Sequence, residues 1–258
     1  MNSPLAQESR GNLTILRLAL PAKRNALTTG MKAGLEEAIA RYFREPAARC
    51  LIITGSDGAF CAGGDLAGLE AGHSPAQTRW RMEGSHRWAK LLMTGEKPVI
   101  TAINGVAAGA GFGLALLGDI VLAAEGAAFI PGFGAVGVAP DMALAMTLPR
   151  AVGMIRAKDI LLANRRVDAD EAQRIGLVSR VVPAAELMPT AIELGESLAQ
   201  GPTLAFGLTK RLLNTSACSL DAFLAAEVAA QTEAFASHDC AEGVRAFHAK
   251  GSPVFRGS

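Results

Sequence analysis

Residues 98–118 read PVITAINGVAAGAGFGLALLG and carry no charge. The run opens as a buried strand: Val99, Ile100, Ala102 and Ile103 are apolar and partly β-branched, and Pro98 and Asn104-Gly105 bound them. It closes as a helix buried on every side, expected over 112–117, with small residues where a neighbouring backbone comes close. Between the two, Gly109-Ala110-Gly111 reduces side chains so far that backbone N–H groups can face something else. At a helix start those groups lack intrahelical partners and lie at the positive end of the dipole, so the turn suits an oxygen that gains negative charge. Close packing of strand on helix accounts for the same glycines, and this stretch alone leaves both readings open.

Other readings fit less well. The length suits a membrane span of roughly 20 residues, but five glycines, Pro98 and Asn104 make a poor spanning helix. A dinucleotide fingerprint needs G-x-G-x-x-G, whereas Gly109, Gly111 and Gly113 give G-x-G-x-G, and Asp119 follows too soon to reach a ribose. With 258 residues, 50% hydrophobic and 19% charged, the chain can bury a sizeable core. A net charge of +1 argues against nucleic acid or an anionic membrane as partner. The first residues, MNSPLAQESRGN, lack the build of a signal peptide. Cys50, Cys61, Cys218 and Cys240 are scattered without CxxC spacing, and His73, His86, His238 and His248 show no paired-ligand spacing. No metal is expected, and a cytoplasmic location is.

Outward from the centre, residues 12–19 alternate as a half-buried strand that Pro21 stops. Lys23 and Arg24 then lead into a helix expected over 31–43, with Thr28 as its N-cap. The basic pair is either a solvated loop or a phosphate contact near a helix start. Residues 49–55, RCLIITG, form a strand, and Phe60 to Leu66, FCAGGDL, form a second Gly/Ala turn that enters a helix at Asp65. Two such turns can aim two N–H donors at one carbonyl oxygen, which is an oxyanion hole. The uncharged run from Phe129 ends in Pro140-Asp141, ahead of a helix expected over 142–148. Asp141 is there either an N-cap or a carboxylate raised in pKa by apolar surroundings and placed to move a proton. Beyond residue 151 the chain reads as mostly helical, and residues 203–250 form amphipathic helices too few to bury their own apolar faces.

Four motifs in this order and spacing resemble the crotonase, or enoyl-CoA hydratase/isomerase, superfamily: NALT (25–28), FCAGGDL (60–66), NGVAAGAGFGLALLGD (104–119) and the Pro140-Asp141 turn. The resemblance implies an α/β fold: a spiral of ββα units over residues 1–200 carrying an acyl-CoA site, then a helical oligomerisation region over 201–258, assembled as a homotrimer or a dimer of trimers. It implies an acyl-CoA thioester substrate, with coenzyme A part of that substrate rather than a separate cofactor. The thioester oxygen would rest on the N–H groups of Gly64 and Ala110. Lys23, Arg24, Ala26, Ala62, Asp65 and Leu66 would lie along the coenzyme A cleft, and Phe247 and Lys250 match a tail segment that reaches a neighbour's coenzyme A. The two glutamates by which hydratases activate water are replaced by Gly113 and Phe133, neither of which moves a proton. Asp141 remains, at the position of the base in the phenylacetate-degradation isomerases, which makes double-bond migration or a ring-opening isomerisation the expected reaction. The alternatives are a hydratase, a 4-chlorobenzoyl-CoA dehalogenase-like enzyme using Asp141 and His86, and a non-catalytic acyl-CoA binder.

Overall fold

The computed structural model of the chain describes residues 3–65, 74–214 and 219–258. In chain order it runs β1 (Leu5–Arg10), β2 (Leu13–Leu18), α1 (Thr29–Arg44), β3 (Cys50–Thr54), β4 (Ala59–Cys61) and α2 (Pro75–Thr94). There follow β5 (Val99–Ile103), β6 (Val106–Ala108), α3 (Ala110–Ala115), β7 (Ile120–Ala124), β8 (Ala128–Ile130) and α4 (Leu144–Val152). The remainder is α5 (Met154–Leu162), β9 (Val167–Asp168), α6 (Ala169–Arg174), β10 (Arg180–Val182), α7 (Leu187–Gln200), α8 (Thr203–Asn214), α9 (Leu220–Phe235) and α10 (His238–His248).

Two sheets share these strands. The larger has the order β1-β2-β3-β5-β7-β10 and the smaller β4-β6-β8-β9. Each of the pairs β3/β4, β5/β6 and β7/β8 therefore gives one strand to each sheet before the chain turns into α2, α3 or α4, which is the ββα repeat of a spiral. Within the larger sheet only β1/β2 is antiparallel. Its parallel strands are apolar on both sides because both sides are covered. Leu16, Leu51, Ile53, Val99 and Ile103 enter the main core with α1, α2 and α3, while Leu13, Ile15, Ile52 and Ile100 lie under α7.

The central run behaves as its sequence suggests at the strand and departs from it afterwards. β5 is fully buried, but residues 106–108 form a further strand of the second sheet, and the helix begins two residues earlier than expected, at Ala110. The start of β5 is held by Asp119, whose Oδ2 accepts from Val99 N–H and from Lys210 Nζ, each at 2.8 Å. Lys210 is 7% exposed and comes from α8, so a buried charge fastens this C-terminal helix to the core. α9 is different: Leu220, Leu224, Val228 and Phe235 are 47–74% exposed. Among the described residues no helix is long and apolar enough to cross a membrane, and no cluster of His, Cys, Asp or Glu is placed to hold a metal ion.

Candidate active site

The two Gly/Ala turns meet. Asn25, fully buried and left-handed at φ +58°, fixes the first: its amide donates to the carbonyls of Ser56 (3.1 Å) and Ala59 (2.8 Å) and its oxygen accepts from Leu20 N–H. Residues 24–27 then run beside the β4 exit, with Ala62 N–H donating to Arg24 and Leu27 N–H donating to Gly63. Gly63 has φ +92°, and a Cβ there would fall 2.6 Å from Ala108 O and 3.2 Å from Ala110 N. Only glycine allows that approach, which sets Gly64 next to the start of α3. The N–H groups of Gly64 and Ala110 have no hydrogen-bond partner among the described residues. Gly64 is exposed with open space about it, whereas Ala110 is 5% exposed. The helix expected to begin at Asp65, along with Leu66 and His73, lies outside the described residues, as does Cys218.

Asp141 reaches the same region from the other side. Gly113 and the turn at Asp141-Met142 touch: a Cβ on Gly113 would stand 2.5 Å from Met142 Cβ and 3.1 Å from Asp141 O. Met142 and Ala143 are both left-handed, at φ +50° and +59°, so the helix starts at Leu144 rather than at Met142. This corrects the capping alternative, because the helix that starts at Leu144 has no side-chain cap and it is the backbone oxygen of Asp141 that accepts from Leu144 N–H, at 3.0 Å. Asp141 Oδ1 is buried and has no hydrogen-bond partner among the described residues. Burial pushes the carboxyl above the ordinary carboxylate range, and the nearby Lys32 ammonium and His86 pull it partly back. The apolar residues that precede Asp141 in the sequence surround it only in part: Phe133 is 7% exposed, but Val136 and Val138 are each 50% exposed. Cys61, between the two turns, has its thiol pushed up to about 12 by burial and stays protonated.

The coenzyme A candidates divide. Lys23 Nζ is engaged by Asp65 Oδ2 at 2.8 Å, so its charge is partly neutralised. Arg24, exposed at φ +47°, has no side-chain partner among the described residues and is the freer cation. Ala26 is buried and Ala62 half-buried alongside them. Phe247 is 81% exposed at the end of α10, Lys250 is left-handed just beyond it, and no hydrogen bond or ion pair among the described residues joins either to the Lys23–Ala26 turn. Sequence reasoning missed Lys32, which reads as one more polar residue on an amphipathic helix but whose charge acts on Asp141.

Comparison with known proteins places this geometry in context. The enoyl-CoA hydratase/isomerase family model matches residues 8–258. The chain is 39% identical to a 1,2-epoxyphenylacetyl-CoA isomerase of Escherichia coli, covering 98% of each protein. It is 33% identical to a 4-chlorobenzoyl coenzyme A dehalogenase of Arthrobacter over 80% of this chain and 76% of that one. Among solved structures, an enoyl-CoA hydratase from a Polaromonas species superposes with a TM-score of 0.92 at 33% identity, covering 97% of this chain and 99% of the other.

Proposed function

The chain belongs to the enoyl-CoA hydratase/isomerase family, and from that premise we propose that it shifts the double bond of an enoyl-CoA, or opens a ring in a related thioester, with Asp141 as the base. The observation that carries this reading is the Asp141 carboxyl: buried, without a partner at Oδ1 among the described residues, raised in pKa, and carried on a turn whose backbone packs on Gly113 of the helix that Ala110 opens. Gly113 and Phe133 offer no second acid for activating water. One carboxylate suffices for isomerisation. It takes a proton from the carbon beside the thioester carbonyl, the electron pair moves into an enolate, and the proton returns two carbons away. The unpartnered N–H groups of Gly64 and Ala110 supply donors for the enolate oxygen, and one such donor is worth ~3 kcal/mol of transition-state stabilisation. Arg24, with Lys23 beside it, would contact coenzyme A phosphates, and Ala26, Ala62, Asp65 and Leu66 would line that cleft.

The apolar residues left exposed on α9, with Phe247 at the end of α10, support assembly into a trimer or a dimer of trimers. A dehalogenase-like reaction is the second reading, favoured by the closeness of His86 to Asp141 and by the Arthrobacter relative. A panel of 3-enoyl, 2-enoyl and 4-chlorobenzoyl thioesters separates the readings: double-bond migration in the first supports isomerisation, and chloride release from the last with no migration overturns it.

A further inference from the structure

The N–H groups of Gly64 and Ala110 stand just beyond the ends of two short strands, β4 and β6. Each strand has three residues, and their parallel pairing is irregular: Ala59 faces Val106, but Cys61 already faces Ala107. Two residues of β4 thus pass against one of β6. A ladder this short sets its register weakly, and a slip of one residue moves a strand end by ~3.3 Å. Two donors that share one oxygen must hold their spacing to about 0.5 Å. Something besides the ladder has to fix where the two strands begin.

Asn104 lies at that beginning, half-buried between β5 and β6. Its Oδ1 accepts from Gly55 N–H at 3.0 Å and its Nδ2 donates to Ala59 O at 3.2 Å, so one amide grips both ends of the corner from β3 to β4. Gly55 N–H only donates and Ala59 O only accepts, so a single orientation of the amide fits. Glycines let the corners close: a Cβ on Gly55 would collide with Ala59 O and Asn104 Oδ1, and one on Gly105 with Gly58 O. Ala59 O also accepts from Asn25 Nδ2 at 2.8 Å, and the Asn25 turn continues to Leu27, whose N–H donates to Gly63 O at 2.7 Å. Asn104 leads into β6 and Ala59 opens β4, so the paths to Ala110 and to Gly64 diverge from one hydrogen-bonded point.

We infer that Asn104 is a positioning residue that sets the spacing of the Gly64 and Ala110 N–H groups, acting through β6 and β4 rather than on the substrate. This role rests on the oxyanion pair described above and is independent of which proton transfer follows.

The test compares the wild type with Asn104→Ala, which removes both hydrogen bonds, and Asn104→Asp, which keeps the acceptor for Gly55 N–H but sets a carboxylate oxygen against Ala59 O. Melting curves verify that each variant is folded. Two readouts follow: kcat and KM for isomerisation of 3-hexenoyl-CoA, and the absorption of bound cinnamoyl-CoA. The conjugated thioester absorbs at longer wavelength when donors polarise its carbonyl, and so reports the N–H pair without the base. Both variants are expected to keep KM near the wild-type value, to lose kcat up to ~100-fold, as for a group misplaced by about 1 Å, and to show a smaller red shift. A lower melting temperature with wild-type kcat and red shift makes Asn104 a stability residue alone and overturns the inference, as does failure of both variants to fold. Wild-type behaviour of Asn104→Asp beside a defective Asn104→Ala assigns the effect to Gly55 N–H and overturns the link through Ala59. If 3-hexenoyl-CoA is not turned over, the isomerase reading fails and the red shift alone decides this one. Absence of a red shift in the wild type is the separate failure of the oxyanion reading, and the inference falls with it.

Discussion

The turn at Met142 closes on Gly113 so tightly that a single methyl group at 113 would stand 2.5 Å from Met142 Cβ. Residue 113 therefore does more than omit a glutamate. It makes room for the left-handed turn that carries Asp141. Gly113→Ala is expected to destabilise the fold by about 1–3 kcal/mol, as for other overpacked sites, and to lower isomerisation by displacing Asp141. Gly113→Glu is expected to give no hydratase, because its side chain and the Met142 turn need the same space. Urea denaturation reads the first effect and hydration of crotonyl-CoA the second.

Asp141 links pH to stability in a definite direction. Its folded carboxyl lies above the ordinary value of 3.8, so the folded chain binds that proton more tightly than the unfolded chain does. The associated stability is fully present below the ordinary pKa and is lost as pH rises through the raised one. Asp141→Asn, which never ionises, is expected to be more stable than the wild type at neutral pH, with the difference vanishing in acid. Melting temperatures of both proteins across that range check this. A cap would give the opposite sign at neutral pH, because removing one destabilises.

How much of this could be read from the sequence depended on whether the signal was local. β5, β7 and α1 follow directly from apolar runs, and Thr28 caps α1 as expected, its Oγ1 accepting from Met31 N–H at 3.2 Å. β1 was invisible because LAQESR has five exposed residues out of six and pairs only as the outer arm of a hairpin. β6 carries no local signal, since Val106, Ala107 and Ala108 are short, small and uncharged, and only their pairing with β4 and with residues 128–130 makes them a strand. The Asp141 turn defeats local reading for the same reason: nothing in Met142 or Ala143 favours a left-handed backbone, and tertiary packing on Gly113 imposes it.

Among the described residues Arg24 has no side-chain partner, whereas Lys23 is shared with Asp65. Arg24→Ala is expected to weaken coenzyme A binding more than Lys23→Ala does, with a loss that shrinks as salt rises because exposed charge contacts are screened. Calorimetry with acetyl-CoA at two ionic strengths measures both. No saturation by the wild type at millimolar ligand would count against the acyl-CoA reading itself.

The apolar residues exposed along α9 predict that the protein is a trimer or hexamer in solution. Light scattering at micromolar concentration should return a mass three or six times the 26.7 kDa of one chain. Val228→Asp, a charge placed where Val228 is 66% exposed in the single chain, should shift that mass downward.

The central claim is that Asp141 is the base of a one-carboxylate isomerase, and turnover of a 3-enoyl-CoA by Asp141→Asn tests it most directly. The account predicts a loss of at least ~100-fold, the low end for a general base, with thioester binding retained and the protein folded. Unchanged turnover per folded molecule would contradict it.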